Sequence, residues 1–145
     1  MTKPAITDIC LVTRDLDAAI EWYTAKLDFE VNHRMPGFAD FAGPGVTLAV
    51  WDAQHLRDTT GVPAQVSEPD GRGVMVAVRL GAPAAIDEMH DQLARRGVDC
   101  YGPPKDYPWN ARAIYLPGPC GEFWEFYAWY EGGEPGHLES ASSTN

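Results

Sequence analysis

Residues 113–129 read AIYLPGPCGEFWEFYAW. Two apolar, aromatic runs flank Pro-Gly-Pro-Cys-Gly at 117–121, a breaker cluster that predicts a β-hairpin with a tight turn. The second run is apolar at both odd and even positions, so we expect its strand to be covered on both faces. Glu125 interrupts that run, where a carboxylate is costly unless it pairs, accepts hydrogen bonds, binds a metal or faces a wet cavity. Glu125 is therefore a candidate site residue, and the alternative is a carboxylate satisfied by a nearby donor.

The overall composition argues against several classes of protein. The chain has 145 residues and a formal charge of −10, so we expect one domain, or two half-domains sharing a core, that does not bind nucleic acid. No apolar run reaches the roughly 18 to 20 residues that span a bilayer, and the N-terminus lacks the apolar region of a signal peptide. Because Cys10, Cys100 and Cys120 match no metal or disulfide spacing, we expect a reduced, cytoplasmic protein.

The first half of the chain predicts one helix among four strands. The strands are expected at residues 6–13, 29–33, 38–42 and 46–51, and clusters of proline and glycine separate the last three. Asp15 is expected to cap a helix that ends near Leu27. Asp28 then occupies the position after the helix, where a left-handed backbone is common.

The same order of elements restarts after a polar connection at residues 53–73. Strands are expected at 74–80, 98–101, 113–116 and 123–129, with a helix between Pro83 and Gly97. The chain thus predicts two βαβββ modules, at residues 5–52 and 74–130, within a single domain over residues 1–130. The Gly-, Ser- and Glu-rich tail at residues 131–145 is expected to be loose.

This duplicated pattern resembles the vicinal oxygen chelate superfamily, which includes glyoxalases, extradiol dioxygenases, fosfomycin-inactivating enzymes and bleomycin-resistance proteins. The resemblance rests on Arg14-Asp15-Leu16, Trp22-Tyr23 and Leu27-Asp28-Phe29 in the first module, and on Gly118-Pro119-Cys120-Gly121 followed by Glu125 in the second. It implies an α+β fold in which the two modules form a curved mixed sheet. It also implies a dimer with exchanged modules that binds ligands where the subunits meet.

The same resemblance identifies four positions that hold a divalent metal in the enzymes of this superfamily. They correspond here to Asp8, Ala49, Met75 and Glu125. The enzymes typically present His, Gln or Glu there, whereas alanine cannot coordinate a metal and a thioether is a poor ligand for hard divalent ions. We therefore expect no cofactor and no catalytic metal, and a pocket for a small molecule in place of the metal site.

Aromatic residues supply the remaining candidates. The segment Tyr107-Pro108-Trp109-Asn110 resembles the Pro-Trp-Asn loop of mitomycin-binding resistance proteins, whose tryptophan stacks on a planar drug. Carried over, Trp109 would stack on the ligand, and the alternative is that it plugs an open edge of the sheet. The other predicted ligand contacts are Trp51, Phe38, Tyr107, Met75, Tyr127, Asp8 and Glu125.

Two functions remain open from the sequence. The first is a metal-independent protein that sequesters an aromatic natural product, as in antibiotic self-resistance, with Asp8 and Glu125 favouring a cationic or hydrogen-bonding ligand. The alternative is a lyase, isomerase or ring-cleaving dioxygenase in which Asp8 and Glu125 act as proton donor and acceptor. The missing metal ligands at Ala49 and Met75 favour binding. The expected assembly is a homodimer with an aromatic small-molecule ligand and no nucleic acid or membrane partner.

Overall fold

The computed structural model describes residues 6–43, 45–66 and 73–130, which fall into two compact units. The first unit contains residues 6–43 and 45–66 together with the turn at 119–121. The second unit contains residues 73–118 and 122–130. The predicted tail at 131–145 and residues 67–72 of the predicted connection lie outside the described residues.

The first unit is a βαβββ module followed by a short helix. Its elements are β1 (Asp8–Thr13), α1 (Leu16–Leu27), β2 (Glu30–Met35), β3 (Phe38–Ala42), β4 (Thr47–Asp52) and α2 (Ala53–Thr60). The strands form one mixed sheet in the order β1-β4-β3-β2, in which β1 runs parallel to β4 and the other pairs are antiparallel. Helix α1 covers one face, where the ring of Tyr23 meets that of Phe41 with centroids 5.4 Å apart.

The second unit repeats the module. Its elements are β5 (Val74–Arg79), α3 (Pro83–Arg95), β6 (Lys105–Tyr107), β7 (Ala111–Pro117) and β8 (Glu122–Trp129). The strand order is β5-β8-β7-β6, with β5 parallel to β8. Helix α3 packs against β7 and β8, and its apolar stripe of Ile86 and Leu93 is fully buried. The two predicted βαβββ modules and the α+β fold are therefore confirmed.

The first helix begins and ends as its sequence predicts. The Asp15 side chain accepts a hydrogen bond from the Ala18 amide at 3.0 Å, which satisfies one of the free amides of the first turn. Asp28 closes the helix in the left-handed region, with φ of 59°. Helix α3 differs, because Ala82 precedes it and offers no side-chain cap, although Pro83 suits its first turn.

Two predicted segments were wrong. Residues 98–101 form no strand, and the edge strand of the second unit is β6 instead. The reason is local: Tyr101 makes one backbone bond to the Tyr115 carbonyl, but Pro103 and Pro104 have no amide hydrogen with which to extend the ladder. The predicted polar connection also contains α2, whose first turn is capped by the Asp52 carboxylate.

The strand predicted to be covered on both faces, β8, is fully buried on only one face. Its side chains alternate strictly, because α3 covers one side of the sheet and leaves the other partly open. Glu122, Trp124, Phe126 and Ala128 are buried, while Phe123, Glu125, Tyr127 and Trp129 are half-buried. In the part of the chain that the structure describes, no helix is long and apolar enough to cross a membrane.

Candidate ligand-binding site

The face of the second sheet away from α3 carries most of the predicted site residues of that unit. The strand register sets Tyr115 opposite Glu125 and Ala113 opposite Tyr127 on β7 and β8. The edge strand then adds Lys105 opposite Ala113. Since side chains alternate along a strand, all of these share one face of the sheet.

A cavity of about 770 Å³ opens on this face, within the range of small-molecule sites. We call it the aromatic cavity. It lies between the loop before β6 and the exposed face of the sheet. Its lining residues are Tyr101, Gly102, Pro103, Pro104, Lys105, Tyr107, Ala113, Ile114, Tyr115 and Phe123.

Tyr115, which lines the aromatic cavity, is hydrogen-bonded to the neighbouring carboxylate of Glu125. The Tyr115 hydroxyl donates a hydrogen bond to Glu125 Oε2 at 2.5 Å. Burial, together with the hydrogen bond and the charge of Glu125, raises the pKa of the Tyr115 phenol, so this hydroxyl stays protonated at neutral pH. Its proton is committed to Glu125. What the pair still offers to a ligand is therefore oxygen lone pairs, which accept hydrogen bonds.

Tyr107, on the edge strand, lines the aromatic cavity and belongs to a short stack of rings. Trp109, in the turn after β6, lies against Tyr107 with ring centroids 4.6 Å apart and planes 18° apart. Tyr107 in turn meets Tyr115 edge to face at 6.0 Å. The Lys105 ammonium lies 5.6 Å from the centre of the Tyr107 ring, a distance at which a cation is attracted to the ring face. Trp109 therefore already stacks on a ring of its own chain.

The predicted residues Tyr127 and Met75 also lie on the second unit. The Tyr127 ring meets Trp129 edge to face at 5.2 Å, further along β8 from Glu125. Met75 lies on β5 opposite Phe123, and its side chain is largely exposed. The structure thus brings Glu125, Tyr107 and Trp109 together, with Tyr127 and Met75 on the same sheet face.

The other predicted residues belong to the first unit, where Asp8 lies apart from the pair formed by Trp51 and Phe38. Asp8 is exposed and accepts a hydrogen bond from the Thr7 hydroxyl at 2.5 Å. The register sets Asp8 opposite Thr47 and sets Ala49 opposite Cys10. Trp51 on β4 and Phe38 on β3 are opposite one another and form an edge-to-face pair at 5.9 Å.

Trp51 is fixed by a histidine that the sequence did not single out. Its indole N–H donates to His55 Nδ1 at 3.0 Å, so His55 accepts with Nδ1 and carries its proton on Nε2. The His55 ring occupies space next to Gly37, where an added Cβ would lie 2.3 Å from the His55 Cγ atom. Gly37 also has φ of +79°, which favours glycine.

The sequence analysis did not single out Tyr115, which pairs with the predicted site residue Glu125. Its signal was present in the hairpin: counting equal steps outward from the connection at 118–122 sets residue 115 opposite residue 125. The contribution of Tyr101 and Pro104 had no comparable signal, because it depends on the path of an irregular loop.

The side chains do not fit the metal that the fold family implies. Of the four corresponding positions, Ala49 has no donor atom and Met75 offers only a thioether. Glu125 is engaged by the Tyr115 hydroxyl. Among the described residues, no three His, Cys, Asp or Glu side chains are grouped so that they could hold a metal ion.

Comparison with known proteins now gives the class of this protein. A family model described as the glyoxalase/bleomycin resistance protein/dioxygenase superfamily matches residues 5–126. The chain therefore belongs to this superfamily. No curated protein matches it.

Solved structures agree with that assignment. A glyoxalase/bleomycin resistance protein/dioxygenase from Nocardioides is 62% identical, the match covering 96% of this chain and 92% of that one, with a TM-score of 0.85. TioX from Micromonospora sp. ML1 is 25% identical, covering 86% of this chain and 98% of that one, with a TM-score of 0.64. A lactoylglutathione lyase from Agrobacterium tumefaciens is 20% identical, covering 88% and 95%, with a TM-score of 0.70, a likeness that shows the fold alone.

Proposed function

We propose that this protein binds a planar aromatic small molecule carrying a hydrogen-bond donor, and that it sequesters the molecule without transforming it. The observation that carries the proposal is the aromatic cavity, which is lined by aromatic rings and in which the lining residue Tyr115 is hydrogen-bonded to Glu125. An apolar cavity with few polar groups is the usual construction of a small-molecule site.

The Tyr115–Glu125 pair determines which chemical group of the ligand can bind next to it. Glu125 is a carboxylate whose neighbour Tyr115 donates to it, so both groups accept further hydrogen bonds from a ligand. An ammonium, amine or hydroxyl group supplies the matching donor, and a charged donor makes the stronger bond. The net charge of −10 on the chain also favours the approach of a cationic ligand.

The walls define the rest of the ligand. Tyr107 and Tyr101 line the cavity beside Phe123, and Trp109 stacks behind Tyr107. Ring faces exclude water from both sides of a flat ligand, and each aromatic pair adds about 0.5–1.5 kcal/mol beyond its buried area. Trp51 and Phe38 of the first unit, with Asp8, remain proposed contacts on the grounds given by the sequence.

A role in antibiotic self-resistance agrees with the family description, which includes bleomycin resistance proteins. We place the protein in the cytoplasm by the same proposal, because Cys10, Cys100 and Cys120 are all free thiols. We also propose a homodimer. The exposed apolar residues Ile9 on β1 and Val74 on β5 lie on edge strands, which need cover. A monomeric mass in light scattering would count against the dimer.

An enzymatic function is the second candidate, and one observation favours it. The hydrogen bond between Tyr115 and Glu125 joins a cavity-lining phenol to a carboxylate, and a carboxylate so placed can act as a general base. In that reading Glu125 takes a proton from the substrate of a lyase, isomerase or dioxygenase, with Asp8 as the second carboxylate. Turnover of a bound ligand, monitored by mass spectrometry, would favour this candidate over sequestration.

The test uses two ligands that share one ring system. Proflavine is a planar aromatic cation with two amino groups, and acridine is the same ring system without them. Titration followed by ligand fluorescence should show tighter binding of proflavine. Glu125→Gln should weaken proflavine binding roughly tenfold while leaving acridine nearly unchanged, because only the charged acceptor is lost.

A matched control is the carboxylate of Asp40 on the exposed face of the first unit. Asp40, on β3, accepts hydrogen bonds from the backbone and ring of His33 and not from a tyrosine. Asp40 does not line the aromatic cavity, so Asp40→Asn should change proflavine affinity by less than about twofold. A change of that size is smaller than the contribution of one hydrogen bond. Equal loss in both variants, or no binding of either ligand to wild type, would refute the proposal.

A further inference from the structure

The edge strand that forms the cavity wall is held from behind by a charged network. Strand β6 contains only Lys105, Asp106 and Tyr107, and it is paired with β7 alone. Lys105 and Tyr107 face the aromatic cavity. Asp106 alternates with them and therefore points to the opposite face of the sheet, towards α3.

Arg112 connects that strand to the helix. Its Nη1 atom donates to Asp106 Oδ1 at 3.0 Å. Its Nε and Nη2 atoms donate to the two carboxylate oxygens of Asp87 on α3, at 3.0 and 2.8 Å. A guanidinium group has enough donors in a fixed planar arrangement to engage two carboxylates at once.

The network also reaches the end of β8. The Tyr130 hydroxyl donates to Asp106 Oδ1 at 2.5 Å, and the Tyr130 amide donates to the Asn110 carbonyl at 2.9 Å. Asp106 thus receives two donors, one from the neighbouring strand and one from the segment after the last strand. A three-residue edge strand is weakly held by its ladder alone, and these side-chain bonds are further attachments of β6 to β7, to α3 and to Tyr130.

We propose that Arg112, by linking Asp87 to Asp106, is a positioning residue that fixes β6 and so sets the place of Tyr107 in the wall of the aromatic cavity. The inference deepens the proposed function and rests on it for its effect on ligand affinity. We call Asp87, Arg112 and Asp106 the Arg112 clip.

The first test measures the position of β6 without any ligand. Hydrogen–deuterium exchange of peptides covering residues 105–107 should become about tenfold faster in Arg112→Met and in Asp106→Asn. Peptides from α3 should exchange as in wild type. Asp91→Asn is the control, because Asp91 lies on the exposed side of α3 one turn beyond Asp87. Unchanged exchange at β6, or equal acceleration across the whole sheet, would overturn the inference.

The second test uses proflavine. Arg112→Met should weaken proflavine binding about threefold to tenfold, and Arg112→Lys should restore part of that loss because a lysine can engage only one carboxylate well. Melting temperatures should change little, since the clip is partly exposed. Affinity that follows the melting temperature alone would show a general structural role and refute the inference. No binding to wild type would refute the proposed function and leave the exchange result to decide the clip.

Acid should open the clip in a predictable direction. The hydrogen bond from Arg112 lowers the pKa of Asp87, and those from Tyr130 and Arg112 lower the pKa of Asp106. Both carboxylates therefore remain charged through the ordinary Asp range, and the clip is lost only as pH falls through their lowered pKa values. The near-ultraviolet circular dichroism of Trp109 is the part of the signal that is lost in Trp109→Phe. In wild type this part should persist down to that acid pH. In Asp106→Asn it should already be weaker at neutral pH. A signal that is the same in both proteins at every pH would contradict the clip.

Discussion

The two units build the same four-stranded sheet, and one row of opposing residues on its exposed face shows how they differ. In the first unit that row is Cys10, Ala49 and Asp40, and in the second it is Ala77, Glu125 and Tyr115. The single carboxylate thus lies on the third strand of one unit and on the fourth strand of the other. Asp40 binds the backbone amide and ring of His33 on its neighbouring strand. Glu125 binds Tyr115 beside a cavity.

This difference shows where a duplicated module can change. The faces under α1 and α3 keep the same construction, because their side chains are close-packed and one altered volume is costly. The opposite faces are not covered by α1 or α3, so polar and aromatic side chains can be exchanged there at little cost in stability. Binding chemistry is therefore expected on the exposed face of either unit, and in the second unit the carboxylate of Glu125 is bonded to a tyrosine that lines a cavity.

The largest expected effect concerns a glycine that makes room for a polar side chain in each unit. An added Cβ at Gly118 would lie 2.3 Å from the carboxylate of Glu122, which is buried and accepts a bond from the Trp124 indole at 2.8 Å. An added Cβ at Gly37 would lie 2.3 Å from His55 Cγ and would also need positive φ. We expect either Gly→Ala change to lower the free energy of unfolding by about 2–3 kcal/mol.

Chemical denaturation measures both effects. Gly81→Ala is the control, because an added Cβ there meets nothing within 4 Å. The two clashes differ in consequence: Gly37→Ala should also release Trp51 and change its fluorescence, whereas Gly118→Ala should leave Trp51 unaffected. A loss below about 0.5 kcal/mol in both variants would show that His55 and Glu122 move aside easily.

The next effect compares the tryptophans of the two exposed faces. Trp51 is held through its indole N–H by His55, whereas Trp109 is held through its ring face by Tyr107. Trp109→Ala should weaken proflavine binding roughly tenfold, because the cavity-lining Tyr107 then loses the ring that is stacked behind it. The melting temperature should stay nearly unchanged. Trp109→Phe, which keeps a ring, should retain most of the affinity.

The same variant tests the alternative that Trp109 plugs the edge of the sheet. In that case Trp109→Ala should lower the melting temperature by several degrees through lost packing, with affinity unaffected. A thermal melt and a titration on one sample therefore distinguish a binding role from a packing role. Trp22→Phe, on α1 of the first unit, controls for the loss of one tryptophan signal.

The order of elements followed from the sequence because each signal was local. Apolar alternation, Asp15 and the turn at 117–121 each act over a few residues, and the structure places them as predicted. The strand predicted at 98–101 failed because Val98 is buried and apolar but the two prolines after Gly102 prevent a ladder.

The site was only partly predictable. Glu125 stood out because a carboxylate interrupts an apolar run, but its partner Tyr115 reads as one more strand aromatic. The cavity depends on the path of residues 101–104, and an irregular loop leaves no periodic signal. Helix α2 was missed because it is short and mostly polar, and only the Asp52 cap marked its start. Properties that depend on three-dimensional neighbours were therefore the ones that the sequence left open.

The smallest expected effect concerns the starts of the two module helices. Asp15 caps α1 through a bond to the Ala18 amide, while Ala82 precedes α3 in the same extended conformation and makes no such bond. Asp15→Ala should therefore lower the free energy of unfolding by about 1 kcal/mol, whereas Ala82→Asp should raise it by about 0.5–1 kcal/mol. The Ala82 backbone, with φ of −155° and ψ of 154°, already has the extended geometry of a capping residue, so the gain carries no backbone cost. Ala82→Asn separates the two contributions of an aspartate, because it keeps the hydrogen bond and removes the charge that interacts with the helix dipole. Chemical denaturation of the four proteins, including wild type, gives each difference directly. If Asp15→Ala costs nothing and Ala82→Asp gains nothing, the caps do not distinguish the units, and Pro83 alone is then sufficient to start α3.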